Sequence, residues 1–193
     1  MKLLIKYSKK TIIFIIAYIF SLFFYKKKYI SGKYFKGRVG GIFSNGWQWI
    51  FTDCMSRIFL GINRGIPFPI SPMINIVNPK DINFHIDDLN NFQGIGKYFQ
   101  AIDGGKIHIG KGCWIANNVG LITANHDLNN LKKHSDPKDI ILGENCWIGM
   151  NSVILPGVIL GPSKIVGAGS IVTKSFKEGS CVIAGNPAAI IKK

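Results

Sequence analysis

From Leu142 onward an aliphatic residue returns at every sixth position, usually with glycine behind it. The pairs are Leu142-Gly143, Ile148-Gly149, Ile154-Leu155, Leu160-Gly161, Val166-Gly167 and Val172-Thr173, fading through Glu178-Gly179 into Ala184-Gly185. This period matches neither a helix nor a strand. It suits an all-β solenoid whose faces are one hexad long, three hexads closing a triangular coil that neighbouring coils must cover. The glycine relieves crowding or allows dihedrals closed to other residues. Four residues after each aliphatic stand Cys146, Ser152, Val158, Ser170 and Val182, small enough for an inward corner. Lys164 and Phe176 break that rule. Lys164 is expected to turn outwards beside Pro162, and Phe176 to mark the end of the regular prism. The same period joins Ile109-Gly110, Ile115-Ala116 and Leu121-Ile122, with Cys113 and Val119 at the small positions. It is lost over residues 127–139, DLNNLKKHSDPKD, which reads as a loop thrown out of the coil. Loops leaving a rigid framework often carry function.

Upstream the pattern changes. Residues 66–100 contain Pro67, Pro69, Pro72 and Pro79 and short aliphatic pieces such as Ile74-Asn75-Ile76-Val77, and read as irregular first coils. Trp47, Ile50, Phe51, Cys54, Met55, Ile58, Phe59 and Ile62 fall at helical spacings and predict an amphipathic helix. Asn45-Gly46 and the stretch from Gly61 to Pro67 bound it. Its stripe packs on the solenoid or on a first helix, Thr11 to Tyr25, a run without charge between Lys9-Lys10 and Lys26 to Lys28. A spanning helix needs about 20 apolar residues, so this run is short. No small-x-small cleavage site follows it before the lysines. It is expected to lie in a membrane interface or dip into one leaflet, lysines reaching the headgroups; packing on protein is the other reading. The expected division is a membrane-associating helix over 1–30, an amphipathic helical segment over 31–65, the solenoid over 66–187 and a tail over 188–193.

Charge sharpens this division. The net charge is +14, and residues 1–52 hold ten Lys or Arg with no Asp or Glu. The surplus lies mostly outside the solenoid, which argues against a nucleic-acid-binding face there. It points instead to an anionic membrane surface met through residues 1–38, where each nearby Lys or Arg contributes roughly 1 kcal/mol. Cys54, Cys113, Cys146 and Cys181 show no C-x-x-C spacing and read as buried free thiols of a reducing compartment.

Three segments carry a resemblance. IGMNSVILPGVILGPSKIVGAGSIVTKSF (Ile148 to Phe176) resembles the closing coils of the hexapeptide-repeat acyltransferases, AGNPAAII (Ala184 to Ile191) the segment ending their prism, and ANHD (Ala124 to Asp127) their active-site histidine segment. The likeness covers about residues 66–193 and is strongest to acetyltransferases of bacterial surface-polysaccharide clusters. It implies a left-handed parallel β-helix and a homotrimer with active sites in the clefts between prisms. It implies acetyl-CoA as donor and a hydroxyl or amine as acceptor, with no metal and no covalent acyl-enzyme.

Acetyl transfer to an alcohol needs a base, because the hydroxyl is a poor nucleophile while it keeps its proton. A positioned base contributes about 10²–10⁴-fold, and histidine suits the task. Charge developing on the thioester oxygen needs donors already in place. His126 matches the family's base. Asn125 and Asp127 orient its ring, bind acceptor hydroxyls, or simply form the turn. His134 in the loop touches the acceptor or is a surface residue. His108, eighteen residues before His126, stands below it or is an outward-facing strand residue. His85 has no support. Gln100 and Asp103 sit where an acceptor pocket is expected. By the resemblance, the pantetheine arm passes Gly149, Met150 and Ala168, and Thr173 and Lys174 lie near its nucleotide end. Ala189 replaces a basic residue of many relatives, a loss Lys192 and Lys193 are placed to offset. Trp147 is expected at the subunit boundary.

The function implied is O-acetylation of a sugar hydroxyl in a bacterial surface polysaccharide or its lipid-linked precursor. Because acetyl-CoA is cytosolic, the expected place is the cytoplasmic face of the inner membrane. The alternative is N-acetylation of an amino group on a nucleotide-linked sugar. Zinc-dependent carbonic anhydrase chemistry would need three converging histidines. A non-catalytic prism fits poorly with an intact ANHD.

Overall fold

The computed structural model describes residues 2–36 and 41–192, with side chains from Ser8 onward. Arg38, part of the basic stretch, and Lys193 lie outside the described residues. The chain forms two units, Met1–Pro72 and Met73–Lys193.

In the second unit the hexads build three stacked walls from strands β1–β14, numbered in chain order. One wall stacks β1 (Asn75–Val77), β3 (Tyr98–Gln100), β6 (Gly120–Ile122), β9 (Val153–Ile154) and β12 (Ile171–Val172). The second stacks β2 (Ile82–Asn83), β4 (Ile107–Ile109), β7 (Ile140–Leu142) and β10 (Ile159–Leu160). The third stacks β5 (Trp114–Ile115), β8 (Trp147–Ile148), β11 (Ile165–Val166), β13 (Val182–Gly185) and β14 (Ala188–Lys192). Neighbours are parallel, except that β14 folds back antiparallel on β13. The chain visits the walls in turn, which makes the predicted parallel β-helix. Leu142, Ile148, Ile154, Leu160, Val166 and Val172 all point inwards, each at most 1% exposed.

The glycine behind the aliphatic is there because coils approach closely. A β-carbon on Gly149 would stand 2.6 Å from the Ala168 nitrogen, and one on Gly143 2.6 Å from the Pro162 nitrogen. The conformational demand falls two residues later, at the corners. Gly112, Asn118, Asn145, Asn151, Gly157, Ser163 and Gly169 all have φ between +55° and +82°, where Gly and Asn are cheapest. At three corners the small residue that follows bonds the coil above. Cys113 and Cys146 donate to the Gly143 and Gly161 carbonyls at 3.0 and 3.2 Å, and Ser152 to Gly167 at 2.9 Å.

Two expectations for the prism need correction. Lys164 does not turn outwards. It is 1% exposed and points into the end of the prism, its ammonium donating to the Glu178 carbonyl and standing 3.0 Å from Cys181 Sγ. At the prism's end the long amine reaches the Glu178 carbonyl instead of water. Second, the last coil is one residue short: Val166 pairs with Ile183, so Ile183 and not Ala184 is the buried aliphatic, and Cys181 follows Lys164 in the corner column. The loop lengthens its coil, so His108 pairs with Ile141, and of its two readings the outward-facing strand residue is the one that holds. His108 is an outward strand residue beside Asn83 and Asp139.

The first coil replaces its third strand with a 3-10 segment, Ile86–Phe92. The buried Asn91 amide accepts from Ile115 N–H at 2.9 Å and donates to the Cys113 carbonyl at 2.9 Å, imitating a strand beneath β5. Asp88 accepts from Gly112 N–H. Lys97 donates to the Asn91 and Gln93 carbonyls, and burial pushes its amine down to about 8.

In the first unit, α1 (Lys2–Phe24) and α2 (Asn45–Phe59) pack on each other. Gly46 is inside α2 and not a boundary: a β-carbon there would meet the Phe35 ring at 2.5 Å. Asp53 and Arg57, both buried, pair at 2.8 Å. Asp53 also accepts from Tyr25 and Ile70 N–H, and Arg57 donates to the Ile66 and Phe68 carbonyls. Burial and the Asp53 carboxylate hold the Tyr25 hydroxyl well above its usual range. Through these bonds the buried pair fixes the segment that follows α2, while Arg57 Nε stays buried without a partner.

Candidate active site

The loop leaves the prism at the edge between the β6 and β7 walls and folds back as a short hairpin. His126 and His134 pair across it as an antiparallel bridge. Asp127 N–H donates to Lys133, and Ser135 N–H to Asn125, at 2.9 and 2.8 Å. The Ser135 hydroxyl also bonds the Asn125 carbonyl. At its far end Lys138 N–H returns to Thr123, and Asp139 accepts from Lys106 N–H. The polar composition that broke the hexad pattern thus builds a pinned structure.

Within it, His126 Nδ1 lies 2.8 Å from the Leu131 carbonyl oxygen. A carbonyl only accepts, so Nδ1 carries the proton and Nε2 keeps a free lone pair. The imidazole is therefore held in the tautomer a base requires. Its ring centroid is 5.1 Å from that of His134, whose Nδ1 lies 2.8 Å from Asp103 Oδ2. Asp103 stands one coil below at the same edge, with φ +52°. An open cleft of about 570 Å³ borders His126 and His134, with Asn125, Asp127 and Ser135 in its wall.

The structure thus brings His126, Asn125, Asp127 and Asp103 together. Asp127 spends one carboxylate oxygen on the Asn129 N–H, closing the turn. His134, weighed as a surface residue, is part of the cluster, and its partnership with Asp103 spans 31 positions that no local pattern reveals. Gln100 ends β3, and its Oε1 is buried without a bonding partner. Thr173 and Lys174 follow β12 at the same edge as His126, two coils higher, with Lys174 over the Phe176 ring. Gly149, Met150 and Ala168 follow β8 and β11 at a different edge of the prism. There Ala168 and Gly169 are exposed, and a β-carbon on Gly169 would meet nothing within 4 Å. Lys192 pairs with Val182 at the start of β13, away from both groups. Trp147 is on the outer surface of the third wall, in register with Trp114. They are 55% and 62% exposed. Among the described residues no three His, Cys, Asp or Glu side chains converge.

The comparisons agree with this fold. A family model described as the hexapeptide repeat of succinyl-transferase matches residues 139–174. WcaF of Escherichia coli K12, which carries the name colanic acid biosynthesis acetyltransferase, is 30% identical over 137 residues, 71% of each chain. The galactoside O-acetyltransferase of Escherichia coli K12 is 37% identical over 108 residues, 51% of this chain and 53% of that one. The chain spans about half the length of several other curated relatives it matches. A Bacillus cereus N-acyltransferase, AntD, solved with dTDP-4-amino-4,6-dideoxyglucose and coenzyme A, superposes with a TM-score of 0.50 at 20% identity. That alignment covers 64% of this chain and 78% of AntD, and the likeness is one of fold alone. Repeat, register, histidine edge and the length of the WcaF match together place the chain in the hexapeptide-repeat acyltransferase family, with its left-handed β-helix.

Proposed function

We propose that the chain transfers an acetyl group from acetyl-CoA to a sugar hydroxyl of a bacterial surface polysaccharide or its lipid-linked precursor, with His126 as base. The observation that carries this is the His126 tautomer: Leu131 fixes the proton on Nδ1, and the residue lines an open cleft. The names of WcaF and of the galactoside enzyme favour a sugar acceptor.

In this reading the acceptor hydroxyl donates to Nε2 and gives up its proton as its oxygen attacks the thioester carbonyl. The C–S bond breaks on collapse of the tetrahedral adduct, and the proton held on Nε2 passes to the leaving thiolate. Asn125 and the free oxygen of Asp127 hold acceptor hydroxyls, and Asp103 steadies His134 as the opposite wall. Acetyl-CoA would supply the activated acyl group along the bare backbone at Gly149, Met150 and Ala168, with Thr173, Lys174 and Lys192 meeting its charged end. Because these residues occupy more than one edge of a chain, the reading includes a homotrimer in which neighbouring edges face each other, Trp147 lying at the boundary. The acceptor is reached from the cytoplasmic side of the membrane, where acetyl-CoA is found.

The test is acceptor-dependent thiol release from acetyl-CoA by the wild-type protein and His126→Ala, across lipid-linked, polymeric and nucleotide-linked sugars. Loss of about 10²–10⁴-fold in the variant, with acetyl-CoA still bound, is expected. Equal rates would remove His126 as base. Release only with an amino-bearing nucleotide sugar would replace O- by N-acetylation.

A further inference from the structure

Helix α1 has two apolar sides, and α2 uses one of them. Ala17 and Ser21 are buried, and Phe14 meets Trp47 edge-on with centroids 5.0 Å apart. On the other side Ile12, Ile15, Ile19, Leu22 and Phe23 recur at intervals of three and four, each between 50% and 78% exposed. At about 100° per residue they occupy an arc about 100° wide, centred roughly 150° from the buried side. Contacts run from Phe14–Trp47 to Tyr25–Cys54, so the helices point the same way. The exposed Phe59 and Leu60 that end α2 therefore lie at the same end as Phe23.

The charges around this stripe are all of one sign. Lys9 and Lys10 precede it, Lys26, Lys27 and Lys28 follow it, and residues 1–52 contain no Asp or Glu. Among the described residues no helix is long and apolar enough to cross a membrane.

We propose that the first unit is a monotopic anchor: α1 lies flat on a bilayer containing anionic lipid. Ile12, Ile15, Ile19, Leu22 and Phe23 enter the boundary between headgroups and acyl chains, and the lysines meet lipid phosphates. The stripe is about 16 Å long, too short to span but well shaped to lie along an interface. Apolar burial and a basic surround are the two signals that stable peripheral binding requires. A second copy of the helix is a poor occupant, because it would bring the same five lysines against these. The inference stands on the first unit alone and does not depend on the transferase reading.

The test is flotation of the full chain with vesicles of phosphatidylcholine alone or mixed with phosphatidylglycerol. Wild-type protein is expected to float with the mixed vesicles, weakly with the neutral ones, and less in molar salt. Leu22→Ser with Phe23→Ser, both at exposed sites, should lower partitioning by about 10² or more with an unchanged circular dichroism spectrum. Replacing Lys26, Lys27 and Lys28 by Gln should reduce binding to the neutral-vesicle level, while Ile95→Ser on the prism should change nothing. Absence of wild-type flotation, or equal flotation of the serine variant, would overturn the proposal. A serine variant that floats normally but sediments as a smaller particle would make the stripe a contact between copies.

Discussion

A β-carbon added at Gly149 would stand 2.6 Å from the Ala168 nitrogen and 2.7 Å from the Val166 oxygen. Both are backbone atoms of the coil above, so the coils must part. At Gly120 the nearest atoms are Val153 methyls at 3.6 and 3.7 Å, an ordinary contact. Gly149→Ala should cost about 1–3 kcal/mol. Gly120→Ala should be neutral or stabilise by up to about 1 kcal/mol through the unfolded chain. Denaturation midpoints decide it, and equal losses at both sites would mean that space between coils is not what the glycine supplies. At this scale the sequence displayed the inward aliphatics and the histidine. It hid the left-handed corners, because Asn, Ser and Gly alternate there without forming a single-residue pattern. It misled at Lys164, where the expected outward turn assumed that a charge must reach water, and the Glu178 carbonyl accepts it instead.

Asn91 shows how an element can be replaced by one side chain. Its amide closes both ladder bonds that a third strand would have supplied, to Ile115 N–H and the Cys113 carbonyl. Asn91→Ala leaves a buried donor and a buried acceptor unmet at about 1–3 kcal/mol each. A fall in stability of a few kcal/mol is therefore expected, with acetyl-CoA affinity retained in the fraction that remains folded. Thermal melting and equilibrium binding on the same samples check this, and a loss under about 0.5 kcal/mol would show that water replaces the amide without penalty. Hexads made the later coils legible because the same inward and corner positions recur every six residues. The first coil was legible only as irregular, since the Asn91 side chain bonds backbone groups 22 and 24 positions away. The loop over 127–139 was legible as an excursion but not as a pinned hairpin, for the same reason: Asp103 acts on its His134 from 31 positions away.

At the scale of the whole molecule, the division of the proposed site between edges carries the strongest consequence. His126 and its cluster follow β6, whereas Gly149 and Ala168 follow β8 and β11 at another corner of the prism. No rearrangement of a rigid solenoid brings them together, but in the proposed trimer a neighbouring copy would present the missing edge. The outward Trp114 and Trp147, stacked in register, are the sort of apolar surface such a contact would bury. Complementation between two inactive chains tests this directly. His126→Ala removes the base and keeps the bare backbone; Ala168→Trp blocks the backbone and keeps the base. Each should be inactive alone. When the two are unfolded together and refolded, a random cyclic trimer has about a quarter of its junctions with His126 from one copy facing Ala168 from the next. Roughly that fraction of wild-type thiol release should therefore return. Mixing without refolding should return nothing while subunits do not exchange. If refolded mixtures stay inactive although the two chains co-purify, base and donor must meet within one chain, and the placement of acetyl-CoA along Gly149, Met150 and Ala168 fails with it.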